Sequence, residues 1–148
     1  MTDRDELEPF QPRPTPNSIE YWSLLQEGVL AARRCTSCRQ WLHPPLERCR
    51  RCGAPTRYEA LSGRGVIYSQ TVTRYPVTPM YEPPIVVAVV EMDEQKDLRM
   101  VGRVVGMEPE QVEIGLEVVA EIEKLPGGDF NVVAFVPVAP AKRRAEKG

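Results

Sequence analysis

The chain has 148 residues, of which 42% are apolar and 27% charged, enough to bury a core of its own beneath an ordinary water-facing surface. No run approaches the roughly 20 consecutive apolar residues of a membrane helix. The start (Thr2-Asp3-Arg4-Asp5-Glu6) lacks the basic and apolar regions of a secretory signal. The expected location is cytoplasmic, where thiols stay reduced, so four cysteines read as metal ligands before disulfides. The net charge of −2 conceals a strong division: Arg33 to Arg64 carries +6, and Glu82 to Asp129 carries −8. Two solvated surfaces of opposite sign, or two faces for different partners, both fit this division.

Residues 1–17 hold Pro9, Pro12, Pro14 and Pro16 and are expected to form a disordered lead-in. Asn17, with Glu20 three residues on, has the form of a helix cap with its reciprocal carboxylate. Ser18 to Glu27 then sets Tyr21, Trp22, Leu24 and Leu25 on a helical repeat, and Gly28 is a natural stop. So short a helix is marginal in water. Its apolar side must dock on the chain's own body or on a partner.

Val29 to Arg34 predicts a short strand before the first cysteine pair, and Gln40-Trp41-Leu42-His43 a second, ended by Pro44-Pro45. Beyond the second pair the period changes to two. Gly65 to Tyr75 places Val66, Tyr68, Gln70 and Val72 on one face. Ile85 to Met92 is a near-continuous apolar run suited to a strand buried on both faces. Leu98 to Val105 follows, then an acidic link (Glu108-Pro109-Glu110-Gln111-Val112) able to hold a helical turn. Leu116 to Leu125 turns Val118, Ala120 and Ile122 inward, and Gly127-Gly128-Asp129 forms a hairpin turn into Phe130 to Val136. The fold class is therefore mainly β. A helix and rubredoxin-like zinc ribbon (residues 18–60) precede a five-stranded OB-type barrel (residues 61–138), with a disordered tail at 139–148. A five-stranded sandwich is the alternative.

Cys35-Thr-Ser-Cys38 and Cys49-Arg-Arg-Cys52-Gly53 are two knuckles, each turning a pair of thiolates toward one cation. Together they supply the tetrahedral sulfur set that zinc prefers, and an iron centre is the rival. A closed four-thiolate site leaves no position for substrate, so its task is folding. His43 is the single histidine, and beside Pro44 it reads as a packing or surface residue. With no serine in a nucleophile-elbow setting and no cysteine to spare, acyl-transfer or acid–base catalysis lacks its usual parts. Glu91, Asp93 and Glu94 could in principle share a proton, but at a strand end and turn they read as a solvated acidic turn in preference to a catalytic pair.

The same residues carry a family resemblance. Tyr21-Trp22, Gly28, the two Cys-x-x-Cys pairs around Pro44-Pro45, Ser62-Gly63-Arg64-Gly65 with Tyr68-Ser69, and Pro83-Pro84-Ile85 through Glu91 resemble a family of zinc-ribbon plus OB-fold proteins catalogued as a domain of unknown function. The resemblance runs from about Ser18 to Pro137. Ile85 departs from it, standing where an aromatic residue is common. Members occur with thiolases, thiolase-like sterol-carrier or aldolase proteins, or MaoC-type hydratases acting on acyl-CoA, including those of lipid metabolism and steroid degradation. The resemblance thus implies a non-catalytic accessory subunit that docks on a thiolase-superfamily enzyme, around a partner dimer, and helps to bind the coenzyme A thioester. The partner face would comprise Tyr21, Trp22, Leu25 and Trp41. The arginine-rich ribbon suits phosphate oxygens, so Arg33, Arg51, Arg64 and Tyr81 are candidate coenzyme A contacts. The loop from Tyr75 to Pro84 could cover an apolar ligand. The acyl group stays open between a steroid side chain, an aromatic acid and a simple acyl chain.

Three rivals remain. A pure assembly adaptor, or a hydratase partner, needs no contact with the thioester. A nucleic-acid-binding ribbon and barrel would need a basic, aromatic barrel groove, whereas the barrel half is acidic. A free-standing enzyme lacks residues to do the work.

Overall fold

The computed structural model describes residues 9–138; the first eight residues of the lead-in and the tail at 139–148 lie outside them. One helix, α1 (Ile19–Gln26), precedes eight strands. It begins without the expected cap. Asn17 instead uses its carbonyl to accept the Tyr58 hydroxyl at 2.8 Å. The turn before the helix is closed by Thr15 and Ser18, whose backbone and side-chain groups bond one another at 2.9 Å. Ser18, not Asn17, stands at the N-cap position, and it makes no side-chain cap bond. The stop is as expected: Gly28 has φ +82°, its N–H reaches the Leu25 carbonyl, and the Val29 N–H reaches that of Leu24. This is the Schellman closure that glycine permits.

β1 (Ala31–Cys35) lies between β2 (Trp41–Leu42) and β3 (Thr56–Ala60) in a small antiparallel sheet. β3 has no counterpart among the expected strands. It lacks apolar alternation, and it exists because five of its residues pair with β1, from Ala31 opposite Ala60 to Cys35 opposite Thr56.

β4 (Arg64–Thr73), β5 (Ile85–Met92), β6 (Arg99–Val104), β7 (Glu117–Lys124) and β8 (Asn131–Pro137) close a barrel in the order β4-β5-β6-β8-β7. The sandwich alternative is excluded. The barrel closes with β8 parallel to β6 and antiparallel to β7. A 3-10 turn at Pro109–Gln111 fills the acidic link.

Two expectations about strand faces need correction. On β4, Ile67 pairs with Val90 and Ser69 with Val89, so Tyr68 is the extra residue of a β-bulge. The bulge reverses the inward parity midway: Gly65 and Ile67 face the core and Tyr68 is 49% exposed. On β5 one face (Val86, Ala88, Val90, Met92) is buried, while the other is buried only at Ile85 and half-buried from Val87 to Glu91.

The core is continuous across both parts. Leu25, Leu30, Ala32 and Trp41 from the helix and ribbon join Ile67, Val90, Met100, Val118 and Phe135 of the barrel. Polar contacts reinforce this junction. The Asn131 amide donates to the Leu25 carbonyl at 3.1 Å, and Gln26 donates to the Asp129 carbonyl while accepting from the Asn131 N–H. Of the described part of the lead-in, Gln11 donates to the Pro126 carbonyl at 3.2 Å.

Candidate metal centre and partner face

Cys35 ends β1 and Cys38 follows one turn later, while Cys49 and Cys52 bracket the second turn. All four sulfurs lie within 4.8 Å of one another. The Cys35–Cys52 pair is 3.4 Å apart and the Cys38–Cys49 pair 3.6 Å. Zinc–sulfur bonds of about 2.3 Å require tetrahedral edges of about 3.8 Å, so this donor set fits zinc. Backbone N–H groups support the sulfurs, from Ser37 and Cys38 to Cys35 and from Arg51 to Cys49, each at 3.4 Å. Such donors favour the thiolate. Burial raises the Cys35 thiol, but the N–H groups of Cys38 and Ser37 and the neighbouring thiols outweigh it and hold it at about 6. Gln40's N–H favours the Cys38 thiolate, yet desolvation and the surrounding sulfurs push that thiol up to about 11. Cys35 and Cys49 are buried and Cys38 and Cys52 exposed, so the centre sits at the surface with one side toward solvent.

The expected partner face is largely interior. Leu25 is fully buried and Trp41 is 7% exposed, both inside the chain's own core, so the helix does not hold its apolar side in reserve. Tyr21 and Trp22 are half-buried. Trp22 meets Phe130 edge-on at 5.6 Å and Tyr21 at 5.1 Å. Burial, and then the nearby Tyr58, push the Tyr21 hydroxyl up to about 12. The apolar helix residue that faces solvent is Ile19, 57% exposed, which sequence reasoning missed because it falls in the first turn.

The four coenzyme A candidates do not converge. Arg33 packs on the Tyr58 ring at 4.8 Å and donates to the Thr56 carbonyl. Arg51 stands on the second knuckle, Arg64 opens β4 beside Asp93 and Glu117, and Tyr81 lies beneath Arg103 at 3.8 Å. The loop after β4 leaves Tyr75 79% and Val77 63% exposed. Glu91, Asp93 and Glu94 are not a proton-sharing cluster. Glu91 pairs with Arg99 at 3.4 Å, and Glu94 accepts from the Ser62 N–H and hydroxyl at 2.8 and 3.1 Å. His43 is half-buried near Tyr21, at 6.2 Å between rings, and burial lowers its pKa.

The ChsH2 rubredoxin-like zinc ribbon model matches residues 22–57, and the ChsH2 C-terminal OB-fold model matches residues 58–123. The chain belongs to the ChsH2 (DUF35) family. A DUF35 domain-containing scaffold protein of Methanocaldococcus jannaschii is 30% identical over 79% of this chain and 85% of its own length. A probable enoyl-CoA hydratase alpha subunit of Thermomonospora curvata is 34% identical over 94% of this chain. The 3-oxo-4,17-pregnadiene-20-carboxyl-CoA hydratase alpha subunit of Mycobacterium tuberculosis is 29% identical over 90%. This chain spans 44% and 42% of the length of those two subunits. Among solved structures, an Ltp2-ChsH2(DUF35) aldolase chain is covered completely, with a TM-score of 0.80 and 30% identity over 87% of this chain. A DUF35 protein from Sulfolobus solfataricus shares the fold at 13% identity and a TM-score of 0.57.

In the ChsH2 framework the Ser62-Gly63-Arg64-Gly65 motif has a structural explanation. Gly63 takes φ +82° and its carbonyl accepts from Ala120 N–H at 2.7 Å, closing β4 on β7. At Gly65 a Cβ would lie 2.5 Å from the Glu91 carbonyl oxygen. Among the described residues no helix is long and apolar enough to cross a membrane.

Proposed function

We propose that the chain is an accessory subunit of an acyl-CoA-processing enzyme, docking on a thiolase-like thiolase or aldolase and helping to hold its coenzyme A thioester. The observation that carries this reading is the complete coverage of the ChsH2 chain of an aldolase, through ribbon and barrel alike. A closed four-thiolate centre supports a structural task for the ribbon. In this reading residues 18–60 form the docking part and residues 61–138 the barrel part. The exposed Ile19 and the half-buried Tyr21 and Trp22 are its solvent-facing anchors, and truncation of such anchors commonly costs 2 kcal/mol or more in binding.

A hydratase partner is the second reading, favoured because two relatives are named as hydratase alpha subunits. Co-expression and pull-down with the products of neighbouring genes separates the two. The expected result is a stable hetero-oligomer with a thiolase-superfamily enzyme, weakened by Ile19→Asp, whose activity on acyl-CoA falls without this chain. Recovery of a hydratase instead selects the second reading. A partner equally active and soluble alone, or turnover of an acyl-CoA by this chain alone, overturns both.

A further inference from the structure

The ribbon's positive charge is unevenly neutralised. Arg34 and Arg39 share Glu59, at 3.7 and 2.9 Å, and Arg33 rests on Tyr58. On the second knuckle the pattern differs. Among the described residues neither Arg50 nor Arg51 has a carboxylate partner, and the Arg51 guanidinium makes only a long contact, 3.5 Å, to the neutral Gln40 amide. Nor does any described hydrogen bond join either guanidinium to a sulfur, because the sulfurs are served by backbone N–H groups.

Both arginines line a cleft of about 220 Å³ where the second knuckle meets the β5–β6 hairpin. Its other polar walls are Gln40, His43, Gln95 and Asp97. Asp97 is the one carboxylate there, and Arg99 engages it at 3.3 Å. The floor is rigid. Gln95 is locked to Trp41 by two hydrogen bonds, and Cys49 and Cys52, flanking the two arginines, belong to the sulfur cluster. A zinc centre with four thiolates, at −2, lowers the +6 of the ribbon segment's side chains to +4, so the segment stays positive.

We propose that this cleft between the second knuckle and the β5–β6 hairpin binds a phosphate or diphosphate group, gripped by the Arg50 and Arg51 guanidinium forks. Paired guanidiniums on a preorganised turn match the oxygens of a tetrahedral dianion, and apart from the long Arg51–Gln40 contact no described hydrogen bond occupies their donors. The class of ligand is a small molecule bearing phosphate. Coenzyme A carries such groups, so as to its physiological ligand the inference rests on the proposed function; the cleft itself does not.

The test is titration calorimetry on the full, zinc-loaded chain without any partner, using inorganic pyrophosphate, ADP and coenzyme A as separate probes. Saturable one-site binding of pyrophosphate is expected, weakened at least tenfold by Arg50→Gln/Arg51→Gln and tightened several-fold by Asp97→Asn. Arg57→Gln, an exposed ribbon arginine outside the cleft, should leave it unchanged. Tighter binding of ADP or coenzyme A than of pyrophosphate identifies a nucleotide source, and equal binding identifies the bare diphosphate; both support the site. Absence of pyrophosphate binding, or an equal loss in Arg57→Gln, overturns it. Zinc content measured on each variant shows that the ribbon is intact. Failure here leaves the pull-down result untouched, and failure of the pull-down leaves this one untouched.

Discussion

The side-chain amide of Gln95 pairs with the backbone of Trp41 in both directions, accepting its N–H at 2.9 Å and donating to its carbonyl at 3.2 Å. β2 is an edge strand of two residues, and the amide acts on it as one more rung of ladder, reaching from the barrel hairpin to the ribbon. Trp41 is also covered by the Arg34 guanidinium at 4.6 Å. The ribbon's orientation on the barrel is thereby set by a group 54 residues away in sequence.

Gln95→Leu should destabilise the chain by about 1–3 kcal/mol, because it strands a buried backbone donor and acceptor together. Gln95→Glu keeps the acceptor but turns an oxygen on the Trp41 carbonyl, and should be no milder. Urea unfolding followed by tryptophan fluorescence measures this. Wild-type stability in Gln95→Leu would show that the pair is incidental.

The purified chain should hold one zinc, and Cys35→Ser or Cys52→Ser should lose it together with much of the ribbon. Because ribbon and barrel share one core, chelation should also lower the melting temperature of the barrel. Elemental analysis and a melt with and without chelator provide the check; a barrel indifferent to chelation would contradict the shared-core account.

Burial lowers the pKa of His43 in the folded state. The unfolded chain therefore binds the proton more readily, and stability should fall as pH drops below about 6.5, with a slope of at most about 1.4 kcal/mol per pH unit. His43→Gln should remove this component. The comparison is the difference between the two proteins' stability curves from neutral to mildly acid pH, both zinc-saturated. Parallel curves would rule out the histidine as the source.

Gly102→Ala should cost about 1–3 kcal/mol by overpacking. The new Cβ would stand 2.8 Å from the fully buried Phe135 ring and 3.0 Å from the Val133 carbonyl oxygen. Thermal unfolding tests it, with Gly115→Ala as contrast: nothing lies within 4 Å there, but φ is +90°. A purely conformational cost is expected at 115 and a packing cost at 102.

The features legible in the sequence were those with short-range grammar. Cysteine spacing located the metal site, the glycine after α1 its stop, and period-two runs the barrel strands. β3 was hidden because Thr56-Arg-Tyr-Glu-Ala60 carries no alternation and owes its extended form to its neighbour β1. Leu25 and Trp41 looked like spare apolar surface because the sequence does not reveal that helix and ribbon rest on the barrel. Gln95 and Asn131, the polar links of that junction, act over 54 and 106 residues, with no motif to mark them.

The extra residue at Tyr68 has a consequence for how the chain can vary. It works as a phase shifter: β4 can serve the interior with odd-numbered positions before it and even-numbered positions after it. Residues gained or lost in the segment between β4 and β5 alter only a surface excursion. Removing Tyr68 itself would leave Ile67 opposite Val90, Ser69 opposite Val89 and Gln70 opposite Ala88 as a regular ladder, with Gln70 and Val72 still inward. Length variation among relatives should therefore be confined to the loop and to the bulge, the one place where β4 can lose a residue without turning a face.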